Sequence, residues 1–301
     1  MASPREFLDP FPYWSLIEWA KLLIVAHVVV CVVSYTTAVL LGGRFKEHCL
    51  QKDAERRVLL ITAHPDDECM FFSPLLLHLT AERQVHVHVL CLTNGNYYGQ
   101  GKRREKEILK SCQILGIPES NIAVINKRYG NKQKSVLFQV KRPDKSVKVD
   151  LDLPDDPHQA WSSVSLDAEV RAAVDRVQPH QIFTFDDYGV SGHGNHIAVA
   201  QAVRKMYKEE NRFKGVEAVY HLETVGVWRK YLGVLELPFT LLLSSNVYML
   251  SPQHILRAQR AMLAHGSQLE WFRFLYIILS RYMAINSFTV ELCTADPAIR
   301  L

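Results

Sequence analysis

The chain has 301 residues, with 35 Lys and Arg against 31 Asp and Glu for a formal net charge of +4, and 48% of its residues are apolar. That balance excludes intrinsic disorder, which needs few apolar residues and a large net charge, and charges spread through almost the whole chain exclude a polytopic membrane protein. The mild basicity makes no case for nucleic acid, and six scattered cysteines without a CxxC pair fit a reducing compartment rather than a disulfide framework or structural zinc site.

In chain order, the first predicted element is Leu22–Leu41, 20 residues without one Asp, Glu, Lys or Arg. As a helix it is about 30 Å long, the thickness of the hydrocarbon core. Trp14 and Trp19 precede it, where an interfacial aromatic belt belongs. A cleaved signal peptide fits less well, because Glu18 lies beside the run, no positive n-region leads it and it exceeds the usual apolar length. Arg5 and Lys21 lie before the run, whereas Arg44, Lys46, Lys52, Arg56 and Arg57 follow it. This asymmetry predicts a short non-cytosolic N-terminus over 1–21, a transmembrane helix over 22–41 and a large cytosolic domain over 57–290. His27 reads as a tolerated polar residue within the span.

The soluble part alternates. Strands are predicted over Arg57–Ala63, Val85–Thr93, Ile122–Asn126, Gln181–Phe185 and Glu217–Leu222. Helices are predicted over Glu68–Glu82, Lys102–Leu115, Ser165–Val177 and His196–Glu210. This pattern predicts an α/β class: a Rossmann-like, mostly parallel sheet with helices on both faces, preceded by the transmembrane helix. Two regions break the rhythm. Lys127–Lys148 carries eight Lys and Arg against the single acid Asp144, and reads either as a solvated loop or as a stretch attracted to anionic lipid head groups. Pro238–Leu250 and Trp271–Phe288 are apolar and aromatic, and read as core helices or as a surface lying on a bilayer.

Two motifs carry chemistry. Ala63-His64-Pro65-Asp66-Asp67-Glu68 follows the first strand of the alternating part, where such a sheet presents its ligand site. His64 and Asp67 are three apart, so in one helical turn both can reach one ion, and their donor atoms suit Zn²⁺ or a similar divalent metal. Asp66, on another azimuth, suits a general base. Helix capping is the competing reading of these acids. The second motif, Asp186 to His196, follows the QIFTF strand and therefore falls on the same face. His196 is the candidate third ligand, and His193, three residues earlier, is placed to face substrate. Three protein ligands and an open position describe a catalytic rather than a structural zinc. Arg103 and Arg104, near the glycine-rich Gly95–Gly101 loop, can hold a phosphate or a sugar oxygen or form surface ion pairs. No nucleotide-binding glycine pattern and no nucleophile elbow occurs.

With Ala63–Glu68, Thr93-Asn94-Gly95, Gly192–His196 and a distal stretch over Ala261–Asn286 containing Ser267-Gln268 and Ser280-Arg281-Tyr282-Met283, the chain resembles the PIG-L/LmbE-like zinc deacetylase family from about Arg57 to Ser287. The resemblance implies metal ligands His64, Asp67 and His196, Asp66 as general base, and His193, in its protonated form, as the acid or oxyanion-stabilising group. It implies hydrolysis of the N-acetyl group of a membrane glycolipid, N-acetylglucosaminyl-phosphatidylinositol, the second step of GPI-anchor biosynthesis, at the endoplasmic reticulum membrane with the catalytic domain in the cytosol. Deacetylation of another N-acetylated sugar, and a catalytically inactive membrane-tethered partner, are the alternatives. Asn195 departs from the acid that many members carry before the last histidine.

Overall fold

The computed structural model describes residues 16–40, 44–45, 55–125, 161, 163–209, 213 and 215–292. The basic stretch Lys127–Lys148 lies outside them.

The chain opens with helix α1 (Leu16–Leu40) and a two-residue strand β1 (Arg44–Phe45), then enters β2 (Arg56–Thr62), α2 (Asp67–Leu79), β3 (Val85–Cys91), α3 (Gly101–Leu115) and β4 (Ile122–Val124). After the gap come α4 (Ser163–Val177), β5 (Gln181–Phe185), the short α5 (Gly189–Gly192), α6 (Gly194–Lys208) and β6 (Ala218–Leu222). The C-terminal part holds α7 (Val227–Lys230), α8 (Leu237–Leu243), β7 (Asn246–Met249), α9 (Pro252–Leu263), α10 (Trp271–Leu279) and β8 (Ile285–Leu292).

Among the described residues, all eight strands form one sheet in the order β1-β7-β8-β6-β5-β2-β3-β4. The block from β4 to β6 is parallel throughout, and β8, β7 and β1 extend it antiparallel. The alternating rhythm thus corresponds to the parallel block. Strands β5 and β6 are buried at every position because helices cover both faces, whereas β3 alternates valine and histidine over Val85–His88 before its buried end. One core layer packs α2, α3 and α9 residues such as Phe72, Ile108 and Met262 on the sheet, and the other packs α4 and α6 residues such as Val170 and Val203. Of the antiparallel strands, β7 and the first half of β8 arise from the apolar segments that broke the rhythm. Strand β8 also runs past residue 290, the predicted edge of the domain.

The order places β2 beside β5, while their chain neighbours β3 and β6 lie on opposite flanks. The chain reverses its direction of growth between β2 and β5. In an open parallel sheet the two loops leaving the carboxyl ends at such a point diverge and leave a crevice. Those two loops carry the two motifs.

Candidate active site

The first loop leaves β2 at Thr62. Asp66 takes φ 119° and Asp67 is the first residue of α2. Four non-glycine residues among those described have positive φ, and three of them, Asp66, Val190 and Ser191, lie in the two crevice loops. Strain of this kind persists only where surrounding contacts fix it. Around Asp66 the contacts are explicit. Its N–H donates to Glu68 Oε2 at 3.0 Å, and Arg104 donates to the Pro65 carbonyl at 2.8 Å and to that of Gly95 at 3.3 Å. Arg104 thus clamps the glycine loop to this motif. A Cβ on Gly95, which has φ +69°, would stand 2.2 Å from Arg104 Nη1, so the clamp requires glycine there.

In the second loop, Asp186 Oδ1 accepts from the backbone N–H groups of Tyr188 and Gly189 and from Thr224 Oγ1, and Asp186 Oδ2 accepts from the Thr224 N–H. Asp186 therefore shapes the loop. Asp187 pairs outward with Arg204. The N-terminal turn of α6 then delivers Asn195 and His196 into the crevice, both buried.

The Asp67 carboxylate lies between the two motifs. Its Oδ2 accepts the Ala63 and His64 N–H groups at 3.0 and 2.7 Å, and sits 3.7 Å from His64 Nδ1. Its Oδ1 is 3.2 Å from His196 Nε2. Burial opposes ionisation of Asp67, but His196 and His64 outweigh it and hold the carboxyl well below the usual range. The His196 ring is stacked on Phe185 at a centroid distance of 4.0 Å, and its Nδ1 bonds the Gly189 carbonyl at 3.0 Å. That bond places the ring proton on Nδ1 and leaves Nε2 unprotonated beside Asp67, its lone pair free for a metal, the usual anchoring of a metal-binding histidine. His64 Nε2 lies 3.0 Å from the Asn195 amide. A proton on His64 Nε2, with the Asn195 carbonyl oxygen turned to accept it, leaves Nδ1 bare beside Asp67. An amide can do this without adding charge.

The residues present fit a divalent cation. Donor nitrogens of His64, His193 and His196 lie within 4.8 Å of one another, and His196 Nε2 is buried without a hydrogen-bond partner. Imidazoles with one carboxylate are a donor set for zinc and similar ions. The geometry offers four candidate donors, His64, Asp67, His193 and His196, where the sequence named three. A second group, Glu68, Cys69 and His265, is wholly buried. Burial pushes the Cys69 thiol well up, so it offers no thiolate. Glu68 already bonds His265 Nε2 at 2.7 Å and Ser111 Oγ at 2.6 Å. This cluster braces Glu68, and through it Asp66.

Asp66 faces a cleft of about 420 Å³. Burial pushes its carboxyl up, against the pull of Arg273 and Arg104, whose guanidinium nitrogens lie 3.3 and 3.7 Å from it. His193 stacks on His196 at 4.6 Å and meets His64 edge-on at 4.9 Å. Burial, then the neighbouring imidazoles, push it down to about 4. His193 is therefore neutral at pH 7, contrary to the cationic form expected from the sequence. Arg273, Tyr276 and His265 escaped the sequence reading. The only signal was an arginine set in an aromatic segment, and nothing local ties residue 273 to residue 66.

The family described as PIG-L: GlcNAc-PI de-N-acetylase matches residues 59–207. An N-acetylglucosaminyl-phosphatidylinositol de-N-acetylase of Bos taurus is 43% identical over 235 residues, 77% of this chain and 82% of that protein. A probable enzyme of the same description from Schizosaccharomyces pombe is 31% identical, over 78% of this chain and 87% of its own length. Among solved structures, the N,N'-diacetylchitobiose deacetylase of Pyrococcus horikoshii aligns with a TM-score of 0.54 at 17% identity, over 81% of this chain and 88% of that one. That last likeness speaks to the fold alone.

Proposed function

The chain belongs to the PIG-L family of GlcNAc-PI de-N-acetylases, and from that premise we propose that it is a membrane-bound, zinc-dependent hydrolase of the endoplasmic reticulum, its catalytic domain in the cytosol, that converts N-acetylglucosaminyl-phosphatidylinositol to glucosaminyl-phosphatidylinositol and acetate. The observation that carries this reading is the meeting of His64 and Asp67 with His196, 129 residues further along the chain from Asp67, in one buried constellation at the head of β2 and β5.

His64, Asp67 and His196 would hold the metal, with His193 beside them. A zinc ion so held supplies Lewis acidity, lowering the pKa of water toward 7 and polarising a carbonyl. The chain's residues do the rest. Asp66 takes a proton from the attacking water as the oxygen–carbon bond forms at the acetamide. Neutral His193 donates its ring N–H to the oxyanion that develops. Collapse breaks the carbon–nitrogen bond, Asp66 returns the proton to the leaving amine, and acetate departs. Burial suits Asp66 to this double task, because a carboxyl raised from its ordinary value both takes and gives a proton more readily near neutrality. Arg104 and Arg273 keep the carboxyl oriented.

The test is acetate release from the inositol glycolipid with and without a chelator. Loss of activity with chelator and recovery on adding zinc is the expected result, and full activity in metal-free protein overturns the metal role. Equal turnover of water-soluble N-acetylglucosaminides would favour a broader sugar deacetylase, and no turnover of either substrate would favour the inactive partner.

A further inference from the structure

We infer that the domain is sunk into the membrane rather than hung from it: the segment Gly233–Leu243, with the exposed faces of α7 and α10, lies within the lipid, so that the catalytic cleft opens at the bilayer surface. The starting point is the flank of α1. Helix α1 contains the apolar stretch Glu18–Leu40, long enough to cross a membrane, and most of its surface is exposed, as at Leu23, Ile24 and Val32. One stripe is not. His27, Cys31, Tyr35 and Ala38 follow helical spacing and face the domain. Cys31 donates to the Leu235 carbonyl at 3.2 Å, His27 Nε2 lies 3.1 Å from the same oxygen, and the His27 ring meets Phe239 at 5.5 Å. Tyr35 donates to the Leu250 carbonyl at 2.9 Å, and Ala38 is packed with Leu237 and Met249.

These contacts run from His27 to Val39, roughly 18 Å of helix. The hydrocarbon layer is only about 30 Å thick. Lipid that surrounds α1 must therefore also surround what α1 is packed on, whatever the tilt of the helix. That segment is built for it. The 3₁₀ turn Gly233–Glu236 and α8 form a short apolar helix, and Leu242 and Leu243 are 82% and 65% exposed. A backbone carbonyl in lipid needs a protein partner, and His27 and Cys31 serve Leu235. The one acid of the segment, Glu236, is fully buried, accepts from Arg229 Nε at 2.6 Å and lies 3.4 Å from Arg281 Nε. Its charge is therefore neutralised inside the domain.

The same surface continues to the cleft. Gly233 abuts the end of α10 at Leu279, and Tyr231 meets Tyr276 across the cleft wall. Trp228, Trp271 and Ile278 on α7 and α10 are 88%, 74% and 70% exposed. Tryptophans at the edge of an apolar patch match the level of the lipid head groups. Lys230 and Arg273 line the cleft just inside that rim, where the phosphodiester of a lipid-linked sugar would pass. The seating rests on α1 being in a membrane. Its link to catalysis rests on the glycolipid deacetylase reading above.

The experiment uses the full-length protein in phosphatidylcholine–phosphatidylinositol vesicles. A hydrophobic carbene reagent dissolved in the bilayer, followed by peptide mapping, should label Gly233–Leu243 and α10 as well as α1; label confined to α1 overturns the proposal. Leu242→Lys and Ile278→Lys, at exposed positions that line no part of the cleft, should lower turnover of vesicle-borne glycolipid by roughly tenfold or more. They should leave turnover of a short-chain analogue monomeric in water unchanged. Undiminished turnover on vesicles overturns the proposal. Absence of acetate from both substrates, with label still on Gly233–Leu243, would instead sink the deacetylase reading and leave the membrane seating standing.

Discussion

One wall of the cleft is made chiefly by the loops after β2 and β5; facing it stand Gln268, Phe272, Arg273 and Tyr276, from the stretch that runs between α9 and β8, with Tyr97, Tyr98 and Arg104 after β3 and Lys230 and Tyr231 at α7 completing the lining. The first wall carries the strained backbone, the imidazoles and both aspartates. The second carries aromatic surface and a guanidinium, and leads outward to the apolar face beside α1. The contrast separates two tasks. Under the proposed function, groups that hold and move protons need fixed positions, and the residues proposed for that task stand on loops leaving the buried strands β2 and β5. Groups that would admit a lipid-linked substrate need exposed apolar area, and the residues proposed for that task come from the stretch between α9 and β8. Glu68 joins the two, because it is bonded to Asp66 on one side and to His265 on the other.

The comparison is broken most easily at Asp66. Asp66→Asn is expected to lower kcat by about 10²–10⁴-fold, the usual share of a general base, with bound metal retained by elemental analysis. Loss of metal in that variant would make Asp66 a ligand and merge the roles of the first wall. Next comes the joint between the walls. His265→Ala leaves Glu68 a buried carboxylate without its ionic partner, so unfolding by denaturant should show a loss of about 3–5 kcal/mol. A loss well under 1 kcal/mol would mean that the two walls are not coupled there. The smallest effect is expected from Arg273→Gln. Arg273 pulls the Asp66 carboxyl down, so its removal lets burial raise that carboxyl further. Because the base works only when ionised, the acid limb of the kcat/KM profile should move to higher pH, with a fall in kcat/KM of roughly tenfold as a charge-assisted contact is lost. An unmoved acid limb would confine Arg273 to the substrate side.

The parallel block was legible because its buried strands are short segments rich in apolar β-formers between helical segments, and each predicted strand from Arg57 to Leu222 lies within about two residues of an observed one. The antiparallel edge was not. Ile285–Leu292 is buried only over its first half, and Asn246–Met249 is four residues long, too short to reveal a period. Their flanking aromatic residues gave a composition without a register.

Sequence by itself determined the chemistry on offer: a carboxylate and an imidazole three residues apart, a neighbouring acid, and a second histidine motif after another buried strand. Residue type and short-range spacing are local properties, and a strand followed by a loop carries them intact. Tertiary structure alone decided that His196 meets Asp67, that a buried histidine braces Asp66 through Glu68, that His193 is neutral, and that α1 lies along Leu235 and Phe239 rather than standing apart. Those outcomes depend on which strands lie side by side and on how much water reaches each group, and both are set by packing between residues tens to hundreds of positions apart.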